Sequence, residues 1–155
     1  MELNSVVKSL ENQCILVTGA TGFLAKLFVE KLLRVQPNVK HIMSYFPTLR
    51  LLLNVSGEVF RVLRERQGVR YTTFISEKVT PVAGDISLEN LGIDDSNLIS
   101  TIRKEIDVVA NFAATTKFDK RYDDAIRTNT TGAKHVAKFS KKCEQLKLLL
   151  HLSTG

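Results

Sequence analysis

The sequence predicts an α/β fold, a doubly wound parallel sheet with helices on both faces, and three observations predict it. Short apolar runs alternate along the chain with segments of helical period, a pattern that implies parallel strands joined by right-handed helical crossovers. The runs do not alternate apolar with polar, as in Cys14-Ile15-Leu16-Val17, so both of their faces are expected to be covered. The third strand candidate, Val79 to Ala83, contains Pro81. Proline removes a ladder donor and belongs at a sheet edge, and in the doubly wound order 3-2-1-4-5 the third strand is the edge.

Taken in order, the first strand is Cys14 to Val17, ending at Thr18-Gly19. Phe23 to Val35 follows as a helix, with Leu24, Leu27, Phe28, Leu32 and Val35 as its apolar face. Pro37 and Asn38 stop it. Val39 to Phe46 and Leu49 to Val55 are both strand candidates, separated by Pro47. Val59 to Arg66 reads as a short basic helix ended by Gly68, and 69–78 receives no element. After the Pro81 strand, Leu88 to Glu105 holds one or two short helices broken near Gly92 and Asp94. Asp107 to Phe112 is a fourth strand, Tyr122 to Leu146 a long helix, and Lys147 to Thr154 a fifth strand rich in leucine. The chain is read as one domain over 1–155, with no second domain and with the sheet truncated after its fifth strand.

Composition removes several function classes. The net charge is +6, but the cations are mixed with acids, as in Arg64-Glu65-Arg66 and Glu30-Lys31. No arginine-rich arm appears, so nucleic acid is not an expected partner. Cys14 and Cys143 form no C-x-x-C pair, and His41, His135 and His151 lie far apart. Neither a disulfide nor a metal site is expected, and two packing cysteines suit a reducing, intracellular compartment. Met1 to Gln13 lacks the apolar core of a secretory signal. The most apolar stretch, Ile42 to Val55, contains Pro47 and Arg50 and is shorter than the roughly 20 residues of a spanning helix.

The chemistry-bearing motif is Thr18-Gly19-Ala20-Thr21-Gly22-Phe23-Leu24-Ala25, set between the first strand and the first helix. Gly19 permits a tight turn, Gly22 lets the backbone approach a phosphate, and Ala25 is small enough for close helix–strand packing. The helix N-terminus points its free amides at the same spot, so a pyrophosphate is expected there. This is a Rossmann-like dinucleotide site, and its T-G-x-x-G-x-x-A spacing resembles the extended short-chain dehydrogenase/reductase group. An NAD site has an acid about 20 residues past the first glycine. That count reaches Val39-Lys40-His41 without one, while Lys40, His41 and Arg50 are basic. They are either ordinary surface cations or acceptors of a 2′-phosphate, and the second reading makes NADPH the expected cofactor.

Further site candidates sit at strand ends. Asp85, in Gly84-Asp85-Ile86, is either a solvated turn residue or the acceptor for an adenine amino group, with Ile86 along the ring. Asn111, Ala113 and Ala114 end the fourth strand, where small residues either serve close packing or leave room for ribose and nicotinamide. Asn129 and Gly132 are poor mid-helix residues and mark either a kink or a close approach to a strand or cofactor. Ser153 and Thr154 end the fifth strand, as a simple polar pair or as hydroxyls for a substrate carbonyl.

These residues resemble plant alcohol-forming fatty acyl-CoA reductases. The likeness runs through Cys14 to Lys26, Val29 to Pro37, Val59 to Glu65, Phe74 to Ile86, Ala113 to Asp119, Arg121 to Asp123 and Asn129 to Lys134. It implies reduction of a fatty acyl-CoA to aldehyde and then to primary fatty alcohol with two NADPH, in lipid, wax or suberin metabolism. It implies a cytosolic or endoplasmic-reticulum-associated protein, with peripheral membrane association or pairing with a full-length reductase as open alternatives. It also implies that Ser153 or Thr154 takes a catalytic hydroxyl role beside a Tyr-x-x-x-Lys pair, whose tyrosine protonates the carbonyl oxygen.

Two departures stand against that pattern. Ile42 to Glu58 does not look like the family, and no tyrosine is followed four residues later by lysine: Tyr45, Tyr71 and Tyr122 precede Leu49, Ile75 and Ile126. The expectation is therefore a fatty acyl-CoA reductase by lineage, truncated and not active alone. The alternative is a non-catalytic nucleotide-binding fragment that pairs with a full-length reductase.

Overall fold

The computed structural model describes residues 3–46, 57–114 and 122–153. A short helix α1 (Leu3–Ser9) precedes β1 (Cys14–Thr18), α2 (Phe23–Val35) and β2 (His41–Phe46). A 3-10 turn at Glu58–Phe60 leads into α3 (Arg61–Gln67), then α4 (Tyr71–Lys78) and β3 (Val79–Ala83). A second 3-10 turn, Glu89–Gly92, precedes α5 (Ser96–Glu105) and β4 (Val108–Asn111). The described chain then runs through α6 (Tyr122–Ile126), a π-helical turn (Arg127–Gly132), α7 (Ala133–Ser140) and β5 (Leu148–His151).

The five strands form one parallel sheet in the order β3-β2-β1-β4-β5. The expected doubly wound architecture is therefore present, with Pro81 on the edge strand opposite Ser44. All of β1 is buried. Its side chains alternate between two cores: Ile15 and Val17 face Leu33, Leu63 and Ile75, while Cys14 and Leu16 face Ile102, Val136 and Phe139. Apolar burial on both faces of one central strand is what makes the parallel arrangement stable.

Several elements differ from expectation for physical reasons. The bounds of α2 are as read, but its buried face is Ala25, Val29, Leu32 and Leu33, and Leu24, Leu27 and Val35 lie outward. The period is kept and the phase is turned, because the helix approaches the sheet through its smallest residue. Glu30 is buried as well, neutralised by Arg34 one turn on at 2.8 Å. Helix α4 arises where no element is expected. Thr72, Thr73 and Ser76 are weak helix formers, and burial of Tyr71 and Ile75, one turn apart on the core side, overrides them. The helix read over Tyr122 to Leu146 breaks into α6, the π-helical turn and α7, and α7 stops at Ser140. Beyond it the chain turns through Lys142 and Cys143, whose amides bond the carbonyls of Phe139 and Ser140. The strand candidate Leu49 to Val55 lies outside the described residues. No described helix is long and apolar enough to cross a membrane.

Candidate functional site

The carboxyl ends of β1, β2 and β4 surround a cavity of about 450 Å³. Gly19 and Gly22 form one wall, Gly84 to Ser87 another, and Phe112 to Ala114 a third. A second cavity of about 350 Å³ adjoins it through the same glycines and alanines and runs toward β5. Rossmann-type sheets bind ligands in this position, outside the strand ends where the strand order reverses.

Gly19 makes the turn possible. Its φ is +70°, and a Cβ there would meet the backbone of Phe112 and Ala113 at 2.6–2.7 Å. The chain thus passes against the end of β4 and leaves the space beyond open. Gly22 donates its N–H to the Gly19 carbonyl at 2.8 Å and begins α2 without any side-chain cap. The first amides of this 13-residue helix are left for an anion. This cradle fits the pyrophosphate of a dinucleotide.

The structure brings most of the expected residues together. Thr21, Asp85 and Ile86 line the first cavity, and Phe23, Leu24, Asn129 and Ser153 line the second; Gly19, Gly22, Ala113 and Ala114 line both. Asp85 is held by its loop: its carboxylate accepts the Ser87 N–H at 2.8 Å, and its own N–H donates to Leu91. Thr154 and Arg50 lie outside the described residues.

Other candidates are placed differently. Thr18 and Asn111 are fully buried and line neither cavity. The Thr18 hydroxyl donates to the Asn111 side-chain oxygen, which also takes the Ala113 N–H at 3.3 Å, and the Asn111 amide meets His151 Nδ1 at 2.9 Å. Together they tie β1, β4 and β5 beneath the glycine turn. Lys40 and His41 lie away from the glycine turn. His41 pairs in register with Cys14, at the amino end of β1. That is four residues, roughly 13 Å, from the turn. His41 bonds Thr80 instead, and the Lys40 amide bonds Gln13. Counting residues from Gly19 lands at the start of β2, whereas a strand reads the ribose with its end.

The residue at that end is Tyr45, which sequence reasoning missed. It lines the first cavity and is only 2% exposed, and its hydroxyl has no hydrogen-bond partner among the described residues. Burial, reinforced by the Asp85 carboxylate, pushes its phenol well above the usual tyrosine range, so it remains a donor. An unpaired buried hydroxyl is destabilising. Tyr45→Phe is therefore expected to stabilise the free chain by about 1 kcal/mol, read as a higher urea midpoint. A lower midpoint would show that the hydroxyl is bonded in solution. Arg127, Thr128 and His151 were also missed; they line the cavities from the π-helical turn and from β5. Among the described residues no three His, Cys, Asp or Glu side chains cluster as a metal would need.

The family model for male sterility protein, an NAD-binding model, matches residues 17–155. The chain belongs to this family. It is 52% identical to fatty acyl-CoA reductase 8 of Arabidopsis thaliana over 97% of its own length and 32% of that protein. It is 49% identical to the alcohol-forming fatty acyl-CoA reductase of Simmondsia chinensis over 99% of its length and 33% of that protein. The chain thus spans about a third of the length of these curated relatives. Among solved structures, the reductase domain of a nonribosomal peptide synthetase from Mycobacterium tuberculosis superposes with a TM-score of 0.72 at 20% identity, over 100% of this chain and 38% of that one. The Bordetella bronchiseptica enzyme WbmF, solved in complex with NADH, superposes with a TM-score of 0.62 at 18% identity, over 92% of this chain and 36% of that one. At these identities the two structures establish the fold, Rossmann-like as read from the sequence.

Proposed function

We propose that this chain is the dinucleotide-binding part of an NADPH-dependent, alcohol-forming fatty acyl-CoA reductase. The observation that carries the reading is the Gly19 turn pressed against the backbone of Ala113, which opens a cavity of about 450 Å³ in front of the uncapped start of α2. Family membership and the curated relatives support the substrate class.

In this reading the amides at the start of α2, with Thr21 beside them, hold the pyrophosphate. Asp85 accepts a hydrogen bond from the adenine amino group, and Ile86 lies along the base. Ala113 and Ala114 leave space for the nicotinamide ribose, with Asn129 at its side. When bound, NADPH would supply a hydride to the thioester carbonyl, the CoA thiol leaving as the aldehyde forms, and a second NADPH would supply the hydride that reduces the aldehyde. Ser153, two residues past β5, and Thr154, next to it in the sequence, orient the acceptor carbonyl. The chain has no Tyr-x-x-x-Lys pair, and positioned proton transfer contributes about 10²–10⁴ in rate. It is therefore expected to bind nucleotide without appreciable alcohol formation of its own.

A second reading, a non-catalytic fragment that pairs with a full-length reductase, is favoured by β5. Leu148, Leu149 and Leu150 are 38–50% exposed on the outer strand of the sheet, and an apolar edge invites pairing. Wax or suberin metabolism in the cytosol or at the endoplasmic reticulum is the setting that fits either reading. Titration with NADPH, followed by nicotinamide fluorescence and with NADH as comparison, tests the first. Micromolar binding with weaker NADH is the expected result. A folded, soluble chain that binds neither would end the nucleotide reading.

A further inference from the structure

The first cavity has a marked charge arrangement. Among the described residues, Asp85 is the acid in its lining and Arg127 the cation. Arg127 is exposed and, among the described residues, its side chain makes no ion pair or hydrogen bond, unlike the Arg34, Arg61 and Arg103 side chains, each of which has a partner. A cation that serves only solubility has no reason to line a cavity whose other walls are a glycine turn and an uncapped helix start.

The backbone explains how Arg127 comes to be there. A regular helix continuing α6 would have its residues at the ordinary α spacing, but Arg127–Gly132 adopts the wider π turn. Such turns recur at functional positions. Here the turn directs Arg127 and Thr128 to the first cavity and Asn129 to the second. It is held in place from its other end. A Cβ on Gly132 would meet Ile86 Cδ1 at 2.7 Å, so the turn packs directly on the loop that carries Asp85. The His135 ring, one residue into α7 beyond Ala133 and Lys134, also bonds the Ile86 carbonyl at 3.1 Å. The π turn that carries the cation and the loop that carries Asp85 are thus packed together in the wall of the cavity.

We propose that Arg127, which lines the same cavity as the glycine turn, binds a phosphate of the dinucleotide, and so sets cofactor affinity or selectivity. This rests on the nucleotide reading above. It assigns the cationic role to the π turn rather than to Lys40 and His41, which lie at the other end of β2. Guanidinium suits the task because its planar fork can give two parallel N–H bonds to one phosphate.

The test compares the unaltered chain with Arg127→Ala and Arg127→Lys, titrated with NADPH and with NADH. Because Arg127 is exposed, both variants should keep the far-ultraviolet circular dichroism of the parent. Loss of one charge-assisted contact should weaken binding by about 10- to 100-fold in the alanine variant, with partial recovery in the lysine variant. A loss confined to NADPH identifies the 2′-phosphate as the group held. An equal loss for both nucleotides identifies the pyrophosphate. If the alanine variant binds both nucleotides as the parent does, this proposal fails while the nucleotide reading stands. If the unaltered chain binds neither, both fail together.

Discussion

Gly19→Ala should abolish the phosphate site and destabilise the fold at once. Two effects add at this position. The backbone is in the left-handed region at φ +70°, where a side chain is strained by about 1 kcal/mol. The new methyl would also lie 2.6–2.7 Å from three backbone atoms of Phe112 and Ala113. Backbone cannot rotate aside as a side-chain end can, so the turn and the end of β4 must separate. We expect a stability loss of about 2–4 kcal/mol, in the range of severe steric and backbone effects. Displacing the turn takes the α2 amides away from the pyrophosphate. Two charged hydrogen bonds of about 1.5 kcal/mol each correspond to roughly 100-fold in affinity. Gly68→Ala is the control. Its φ is +54°, but nothing lies within 4 Å of the added carbon. With ψ at −129° its backbone is in a region that glycine adopts and other residues rarely do, so the change should cost about 1–3 kcal/mol and leave NADPH binding unchanged. Calorimetric Tm and fluorescence titration on the two variants separate collision from strain. Equal losses in both would mean that the contact with Ala113 is not tight.

The two glycines also illustrate what can be read without coordinates. The strand–turn–helix context makes the Gly19 turn legible, because the motif needs only local geometry. Sheet order is legible through Pro81, since one missing N–H confines β3 to an edge. Helix phase is not. The period of α2 is clear, but Ala25 and Leu33 face the sheet while Leu24 and Leu27 do not, and this follows from how closely the helix can approach β1. Position along β2 is equally illegible by counting, because a strand's functional end depends on where its pairing begins. His41 pairs with Cys14 and Ser44 with Val17, which moves the cofactor-facing end from Lys40 to Tyr45. The π turn is intermediate. Thr128, Thr130 and Thr131 beside Asn129 and Gly132 disfavour a regular helix, but that run does not say which neighbour would be carried into the cavity. Asn111 shows a different limit. A polar residue at a strand end reads the same whether it faces a ligand or, as here, ties neighbouring strands together.

Asp107→Ala is the largest loss expected at the opposite edge of the sheet, away from the nucleotide. Asp107 is 9% exposed and sits just before β4. One carboxylate oxygen accepts the N–H of Cys14 at 2.9 Å, and the other meets Lys147 Nζ at 2.9 Å. Its main chain donates to the Cys14 carbonyl and accepts from Lys147 at 2.7 Å. One residue thus joins the starts of β1, β4 and β5. The two side-chain contacts differ in worth. Lys147 is 60% exposed at its side chain, so that pair contributes at most about 1 kcal/mol. Cys14 is 1% exposed, and its N–H would be left buried without the side-chain acceptor. We expect Asp107→Ala to cost about 2–3 kcal/mol, dominated by that orphaned donor. Asp107→Asn keeps an acceptor oxygen and loses only the charge, so it should cost under about 1 kcal/mol, close to Lys147→Ala. Urea unfolding of the three variants reads the partition. Similar costs for Asp107→Ala and Lys147→Ala would mean that the ion pair, and not the buried amide, carries the interaction. Hydrogen exchange then locates the effect: in Asp107→Ala the amides of Leu148 to His151 should exchange faster, while those of Leu16 and Val17, buried at the centre of the sheet, should follow global stability alone.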